Sequence, residues 1–525
     1  MTDAWSVGLA RRAAALGGAG LLAMAAGFLR EVALARRFGV SATMDAYVAA
    51  TFVSRLSLAL VSGSLLPAFI LVFVRTLERD EQVAWAFARA ATRWMGALTL
   101  GACAAAAATA SRWLPVFYPG YTGHQLASSV HLTMLLLPSV PILLVSSVQS
   151  GILNARGRFA LPVLGAGAGS LVVIAAAVLI SGPSALDWVV GATAVSYLIQ
   201  WAVQQPFIRH DALARTAPAS PLVKEWLLLG LPLLLYQGAA YVSNIMEGRL
   251  ASAIGPGAVS ALGYAARLFS IPTALLAAPL AIVAYPSLVR RMTRGDAAGA
   301  REVLAKAMRV VIFAFLPASA VTIVCAAPLT ALFLQRGAFD ATATATTASA
   351  LAAYAVGMAP NALAVLLLRG LNAAGDMRTP LYAEMVSLAV YLAAAIPLAA
   401  TVGVAGLAGA RAVGFTSTAL LLLYVLSRRL DLLSRALAGA RYTAKALGLS
   451  ASLALVVLGA ASVVTAVAGS ATLGVRASLQ LLGAGLALAG YLAAAKWWLR
   501  WPEADLVLQW IPGFRSRGGM ADDLK

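Results

Sequence analysis

The sequence predicts an all-α membrane protein of about fourteen transmembrane helices. Two six-helix lobes in a parallel pseudo-twofold repeat surround a central cavity, and two extra helices follow at the C-terminal end. Three observations predict this fold: the apolar composition, the regular spacing of apolar segments and an internal repeat. Of the 525 residues 61% are hydrophobic and 11% are charged, whereas soluble domains carry about 25% charged residues. This composition excludes a water-soluble globular protein.

Charged residues, glycines and prolines divide the chain into fourteen apolar segments, each long enough for the roughly 20 residues of a membrane helix. These spans, numbered 1 to 14, cover residues 10–36, 45–74, 86–111, 127–153, 160–181, 186–208, 223–252, 259–289, 303–333, 341–370, 379–402, 405–427, 443–468 and 475–499. Near the start of span 1, Arg11 and Arg12 precede an apolar run, as basic residues do in a signal peptide. The run continues to Arg30 without a polar cleavage region, so we expect a retained span.

Basic residues give the chain a formal net charge of +19. In a soluble protein this charge would favour nucleic-acid binding, but here it lies in short runs between apolar segments, which indicates membrane orientation instead. Most of these runs follow even-numbered spans, as in Arg75 and Arg79, Arg156 and Arg158, Arg290 and Arg291, and Arg428 and Arg429. By the positive-inside rule, both termini are expected on the cytoplasmic side.

An internal repeat divides the spans into two halves. Leu153–Pro162 reads LNARGRFALP and Leu371–Pro380 reads LNAAGDMRTP, with Leu, Asn, Ala, Gly and Pro coinciding at an offset of 218. Both copies follow an even-numbered span, so the halves run in parallel topology. A chance match in an Ala-, Leu- and Gly-rich chain is the alternative. Parallel repeats of this kind typically enclose a cavity that opens alternately to the two membrane faces, which favours a transporter.

The spans and the repeat together predict the domain organisation. The boundaries are a first lobe at 1–208, a cytoplasmic linker at 209–222, a second lobe at 223–428, spans 13 and 14 within 429–500, and a cytoplasmic tail at 501–525.

Ionisable residues inside spans cost roughly 2.5 to 3.5 kcal/mol each on insertion scales, so they usually face a cavity or one another. Here they concentrate in the first two spans of each half, as Arg30, Glu31, Asp45, Arg55, Glu247, Arg249 and Arg267. A cavity lined by these residues carries net positive charge. Arginine suits an anionic substrate such as a phosphate or pyrophosphate.

Structural alternatives exist for several of these charges. Arg30 and Glu31 could simply pair, and Arg249 could extend to the outer interface. Glu384 in span 11 could pair with Arg411, whereas Glu384 and Glu247 together could form an acidic cation or proton site, with Asn244 as a further member.

Motifs for other chemistry are missing from the sequence. Without a Gly-Lys dipeptide there is no P-loop, and no G-x-S-x-G elbow occurs. The three histidines are scattered, and Cys103 and Cys325 are isolated in apolar segments. We therefore expect a protein that is not an enzyme, with no metal site and no bound cofactor.

Four stretches resemble the MurJ (MviN) lipid II flippase family of the multidrug/oligosaccharidyl-lipid/polysaccharide exporter superfamily. They are GFLREVALARRFGVSATMDAYVAA at 27–50, SGILNARGRFALP at 150–162, YAARLFSIPTALLAAPLAIVAYPSL at 264–288, and the region 332–380 from LFLQRGAFDATAT to LNAAGDMRTP. The resemblance covers nearly the whole chain. It implies a multi-pass protein of the bacterial inner membrane.

The resemblance also implies roles for individual residues. Arg30 and Arg267 would bind the pyrophosphate from the two lobes. Glu31 and Asp45 would hold the first-lobe arginine in place and act as a gate. Glu247 resembles a cation-site member in some relatives, which implies Na⁺ or H⁺ coupling, with the membrane potential as the alternative. Spans 13 and 14 would form a groove for the polyprenyl tail.

Three positions depart from the family pattern. Met24 and Ser57 stand where the family tends to be basic, with only Arg55 near the second position, and Ala266 replaces an aspartate before Arg267. These departures leave fewer charges for the pyrophosphate and raise the question of which glycan is carried.

The resemblance implies a flippase that moves undecaprenyl-pyrophosphate-linked lipid II from the cytoplasmic to the periplasmic leaflet by alternating access. The alternative is a paralogous flippase for an exopolysaccharide or O-antigen oligosaccharide. A drug or cation antiporter would call for an acidic cavity, and a glycosyltransferase would call for a longer periplasmic loop. Expected partners are the lipid-linked oligosaccharide, membrane lipids, and proteins of cell-wall or polysaccharide synthesis.

Overall fold

A computed structural model describes residues 2–208, 220–373, 376, 378–430, 433–468, 472–501 and 503–504. Every regular element in this part of the chain is a helix. Within these described residues, ten helices are long and apolar enough to cross a membrane, or twelve if two bent pairs each count as one span. The predicted all-α, multi-pass class is confirmed. Most of the predicted linker at 209–222 and of the predicted tail at 501–525 lies outside the described residues.

The described residues of the first half form ten α-helices and one π-helix. They are α1 Thr2–Phe38, α2 Ala42–Ala50, α3 Phe52–Leu60, a π-helix Val61–Leu65, α4 Leu66–Leu77, α5 Glu81–Ala108, α6 Ala110–Phe117, α7 Gly123–Leu136, α8 Val140–Ala155, α9 Ala160–Leu179 and α10 Ala185–Gln204. Span 2 therefore consists of α2, α3, the π-helix and α4, and span 4 consists of α7 and α8. Helices α5 and α6 meet at a bend of 82°.

The second half continues with ten further α-helices and a second π-helix. They are α11 Ser220–Ile254, α12 Ala258–Thr293, α13 Ala297–Val324, α14 Ala326–Leu334, α15 Ala341–Val356, α16 Met358–Ala373, α17 Arg378–Val402, α18 Val404–Leu430, α19 Leu433–Val467 and α20 Leu473–Ala493 with a π-helix Ala494–Trp498. Each of the fourteen predicted spans overlaps one of these helices or one run of consecutive helices.

Helix boundaries recur along the chain and support the sequence repeat. Helices α11, α15 and α17 begin 218 residues after α1, α7 and α9, and α12 and α13 begin 216 residues after α2 and α5. The N-caps also correspond, because the carboxylates of Asp80 and Asp296 accept the N–H groups of Val83 and Gly299. Such caps satisfy N–H groups that the first turn of a helix leaves without partners.

The chain divides into two compact units. One contains Met1–Ser260 with Arg336–Phe339, and the other contains Ala261–Gln335 with the chain from Asp340 onward. Helix α11, which the sequence analysis assigned to the second lobe, therefore packs within the first unit, against the π-helix of span 2, α4 and α5. The repeat relates α11 to α1, but it does not fix the surface on which α11 packs.

Aromatic side chains form the core of the first unit. The rings of Phe69, Phe73 and Phe87 are fully buried. Phe69 stacks on Phe73 and Phe87 with ring centroids 5.6 and 5.3 Å apart. In the second unit Phe313 packs against Tyr491 and Trp501. Aromatic pairs add about 0.5 to 1.5 kcal/mol each beyond the area they bury.

Glycines let α9 approach α10 closely. A Cβ on Gly169 would lie 2.8 Å from the carbonyl oxygen of Ser196, and one on Gly165 would lie 3.3 Å from Cα of Gln200. Small residues at such interfaces allow the backbones of membrane helices to pack together.

We predict that Gly169→Leu destabilises the protein by about 1–3 kcal/mol, because the added side chain must separate α9 from α10. The measurement is the thermal unfolding midpoint of the detergent-solubilised protein. Gly191→Leu in α10 is the matched control, since a Cβ at Gly191 meets no atom within 4 Å. Equal midpoints for the two variants would contradict the close packing of α9 on α10.

Candidate functional site

Arg30 and Glu31 form an ion pair in α1. Nη2 of Arg30 lies 3.1 Å from Oε1 of Glu31, and the two side chains are 27% and 14% exposed. Nε of Arg30 is buried and has no hydrogen-bond partner within the described part of the chain. The pairing that the sequence raised as a structural alternative is therefore present, yet it leaves a guanidinium donor unused. A buried donor without a partner is costly, so this edge of Arg30 favours an anionic ligand.

Two tyrosines that the sequence analysis did not single out lie around Arg30. Both Tyr47 and Tyr197 are close enough to Arg30 to affect its electrostatic environment. The Tyr47 hydroxyl also shares a 3.2 Å hydrogen bond with the hydroxyl of Thr193 in α10. Tyrosines in apolar runs look like core residues in the sequence, so the only signal was their hydroxyl groups within membrane spans.

Asp45 is completely buried at the start of span 2. Its Oδ2 accepts the N–H of Gly257 at 2.6 Å, and its Oδ1 accepts the N–H of Ser260 at 2.7 Å. The N–H of Gly257 immediately precedes α12 and that of Ser260 lies in its first turn, where the helix dipole is positive and favours a carboxylate. Asp45 was expected to hold the first-lobe arginine, but both of its oxygens bind this helix start. We call Asp45, Gly257 and Ser260 the Asp45 clasp.

The geometry of the turn before α12 explains why the clasp forms. Gly257 has a φ of +87°, a conformation that residues with a Cβ rarely adopt, and a Cβ there would lie 2.7 Å from Val40. Glycine therefore lets the turn come close to the α1–α2 connection. The Tyr121 hydroxyl fixes the other side of the clasp by donating to the carbonyl oxygen of Asp45 at 3.2 Å.

Further backbone contacts surround the clasp at the same end of the first unit. The N–H of Ala338 donates to the carbonyl oxygen of Arg36 at 2.9 Å, which attaches segment Arg336–Phe339 to the end of α1. Arg249 donates to the carbonyl oxygen of Val116. This contact explains Arg249 without a role in substrate binding.

Arg55 lies in α3, ten residues after Asp45. Its Nη2 donates to the carbonyl oxygen of Val48 at 2.6 Å and to the Thr51 hydroxyl at 2.8 Å. Both acceptors belong to the preceding turns, so the side chain is held along its own helix. Arg55 is partly exposed, so part of its guanidinium can still reach a ligand.

Aromatic rings line the region beside Arg55. The ring of Phe52 lies 5.3 Å from that of Phe117 and 6.4 Å from that of Tyr241 in α11. Tyr118 and Tyr121, in the connection after α6, stack with centroids 5.0 Å apart. Burial raises the pKa of both hydroxyls. They therefore stay neutral hydrogen-bond donors at physiological pH.

The remaining predicted site residues fall into both units. Asn244 is exposed and Glu247 is partly buried, three residues apart on α11 of the first unit. In the second unit, Arg267 is exposed on α12 and Glu384 is partly buried on α17. In the described ranges no three His, Cys, Asp or Glu side chains form a group that could hold a metal ion.

Three further positions from the sequence analysis are Arg411 and the uncharged Met24 and Ser57. The guanidinium of Arg411 lies against the rings of Tyr391 and Phe415, at 5.6 and 5.4 Å. Met24 is exposed on α1 and Ser57 is partly exposed on α3.

Solved structures of other membrane transporters have the same fold as this chain. The chain superposes on the lipid II flippase MurJ in its inward closed conformation with a TM-score of 0.76 at 19% identity, covering 94% of this chain and 99% of that one. An inward-facing multidrug resistance MATE family transporter of the MOP superfamily gives a TM-score of 0.67 at 15% identity, covering 78% and 95%.

Sequence comparisons identify the family. The lipid II flippase MurJ of Burkholderia cenocepacia is 28% identical over 426 residues, covering 78% of this chain and 82% of that protein. A probable lipid II flippase MurJ of Thermotoga maritima is 24% identical over 391 residues, covering 74% and 79%. Residues 34–490 match the family model described as lipid II flippase MurJ. Because this match spans most of the chain, the protein belongs to the MurJ family of lipid II flippases.

Proposed function

We propose that the protein moves lipid II, the undecaprenyl-pyrophosphate-linked peptidoglycan precursor, from the cytoplasmic to the periplasmic leaflet by alternating access. The observation that carries the proposal is the Arg30–Glu31 pair, whose buried Nε of Arg30 has no partner among the described residues. It places an unused cationic donor inside an apolar chain that belongs to a flippase family. Transport without covalent change of the substrate requires no enzymatic group.

The proposed topology has fourteen spans in the bacterial inner membrane with both termini in the cytoplasm. Helices α1 and α12, of 37 and 36 residues, would complete the fourteen together with the twelve candidate spans. Exposed Trp188 and Trp497 lie near the ends of spans 6 and 14, where aromatic residues anchor helices at the membrane interface. The predicted lobes at 1–208 and 223–428 belong to this proposal.

Pyrophosphate binding is the first step of the proposed cycle. Arg30 and Arg55 would supply N–H donors from the first lobe, and Arg267 would supply them from the second. Guanidinium groups bind phosphate oxygens in two-point geometry, which a lysine cannot reproduce. As the substrate engages Arg30, its anionic oxygens would replace Glu31, so that the site exchanges one anion for another and never leaves the arginine uncompensated.

The Asp45 clasp would keep one end of the transporter closed, and the proposed topology makes this the periplasmic end. Its two hydrogen bonds to an ionised group are worth about 1.5–3 kcal/mol each. A ligand shifts such an equilibrium only by binding the open state more tightly than the closed state. Differences of a few kcal/mol are sufficient, so substrate or ion binding could release the clasp.

Energy coupling is proposed to involve Glu247, Asn244 and Glu384 through Na⁺ or H⁺, or the membrane potential acting on the charged cavity. One elementary charge crossing the membrane gains about 2.3 kcal/mol per 100 mV, which is comparable to one bond of the clasp. Exposed leucines on α19 and α20, including Leu455 and Leu482, would contact the polyprenyl tail.

A related substrate is the second candidate. Met24 and Ser57 are uncharged, and fewer basic groups would weaken the hold on a charged, peptide-bearing head group. This favours a paralogous role in exporting another undecaprenyl-linked oligosaccharide, for an exopolysaccharide or O-antigen.

Depletion of the protein in its host separates the two substrates. Lysis with accumulation of lipid II in the cytoplasmic leaflet supports the flippase for peptidoglycan. Viable cells that lose a surface polysaccharide would instead support the paralogous role. Complementation of a strain that lacks its own lipid II flippase provides the independent check, with membrane insertion measured in parallel.

We predict that Arg267→Ala abolishes lipid II translocation in proteoliposomes, while Arg267→Lys recovers part of it, because a point charge replaces a two-point donor. Both variants should insert and unfold as the wild type does. The readout is the protease or enzyme accessibility of lipid II in the outer leaflet. Full transport by the alanine variant would show that Arg267 only supports the structure.

We predict that Asp45→Asn opens the clasp, because the neutral amide offers one acceptor oxygen where the carboxylate offers two charged ones. A cysteine placed at Ser260 should then react at least several-fold faster with a membrane-impermeant maleimide added from the periplasmic side. Asp80→Asn, the same change at the N-cap of α5, is the matched control and should leave this rate unchanged. An equal rate in Asp45→Asn and the wild type would mean that the clasp does not close this end.

A further inference from the structure

A hydrogen bond joins α11 to a distorted turn in span 2. Trp226 is fully buried in α11, and its Nε1 donates to the carbonyl oxygen of Leu65 at 2.8 Å. Leu65 is the last residue of the π-helix Val61–Leu65. The indole also meets the rings of Phe69 and Phe87 edge-on, at 6.0 and 6.3 Å. Trp226 therefore sits at the point where span 2 changes its helical geometry.

The sequence of span 2 explains the π-turn. Pro67 has no N–H to donate to the carbonyl of Gly63, and its ring would clash with that carbonyl in a regular α-helix. The chain instead makes a wider turn, in which the N–H of Leu66 donates to Val61 five residues earlier. A π-turn contains one residue more than an α-turn, and one residue corresponds to about 100° of helix rotation.

The extra residue sets the direction of the charged side chains in span 2. Arg55 precedes the π-turn, whereas Phe69 and Phe73 follow it and are fixed in the core. If the turn became a regular α-turn while the core stayed in place, Arg55 would rotate by about 100°. It would then lie on a different face of the helix.

Close approach of α11 holds the π-turn in place. A Cβ on Gly63 would overlap the side-chain amide of Gln237, and a Cβ on Gly230 would lie 2.7 Å from Cδ2 of Leu65. Glycines on both helices thus bring the Trp226 indole within reach of the carbonyl of Leu65. Helix α11 is the element that carries Asn244 and Glu247, so the same helix that contributes candidate coupling residues also fixes span 2.

We propose that Trp226 is a positioning residue for substrate binding: its bond to the π-turn holds span 2 in the register that directs Arg55 to the pyrophosphate. The inference rests on the proposed function for the role of Arg55. Substrate recognition then depends on a side chain that does not touch the substrate and lies on another helix.

Cysteine scanning of residues 52–60 in a background without Cys103 and Cys325 tests the register directly. The scan records which positions react with a maleimide in membranes containing the wild type, Trp226→Phe, or a chain lacking Ser64. Deletion of Ser64 provides the reference for the α-register. Trp226→Phe keeps an aromatic ring but removes the donor. Trp94→Phe, at an exposed position of α5, is the matched control.

We expect the reactive positions in Trp226→Phe to shift toward those of the Ser64 deletion. The lipid II concentration for half-maximal transport should rise by three- to tenfold while the maximal rate changes less. If Trp226→Phe fails to fold, Pro67→Ala, which returns an N–H to the turn, should produce the same shift. An unchanged reactive pattern in the variant that folds overturns the inference. The scan reads the register without transport, so a wild type that fails to move lipid II would refute the proposed function alone.

Discussion

The hydrogen bonds between the buried carboxylate of Asp45 and the start of α12 are the constraint on which the packing of the first compact unit most depends. The carboxylate joins the start of span 2 to the start of α12 across more than two hundred residues of sequence, through N–H bonds of 2.6 and 2.7 Å. In an apolar environment the N–H groups at the helix start and the carboxylate each need a hydrogen-bond partner, and they satisfy one another. Separating them exposes both, so the open state must supply water or another ligand at this end.

The Arg30–Glu31 pair follows the same physical rule with a different result. Asp45 uses both of its oxygens, whereas Arg30 keeps a buried Nε without a partner among the described residues. A fully satisfied group holds a structure, and a partly satisfied one is poised for a ligand. This difference is the basis for our proposal that Asp45 closes one end and Arg30 binds the substrate, although the sequence places both as charges in the first two spans.

The sequence predicted the positions of the spans well, because the length of an apolar segment is fixed by the thickness of the bilayer. Every predicted span overlaps a helix or a run of consecutive helices in the structure, and the repeat reappears in the helix boundaries. The Arg30–Glu31 pair was also foreseeable, since the two residues are neighbours.

Long-range contacts could not be read from the same patterns. The partners of Asp45 are backbone N–H groups, which have no signature in the side-chain sequence. The π-helix escaped detection because an extra residue in a turn does not change the apolar length of span 2, and Pro67 alone does not specify a π-turn. The packing of α11 depends on Gly63, Gly230 and Trp226, which read in the sequence as ordinary apolar residues.

A reversible disulfide across the clasp tests whether this end of the transporter must open. The cysteines replace Val40 and Ala258, the neighbour of Gly257, in a background without Cys103 and Cys325. We expect that oxidation stops lipid II translocation in proteoliposomes, that a reductant restores it, and that neither single-cysteine variant responds. Full translocation by a chain shown to be quantitatively cross-linked would contradict the claim that this end must open.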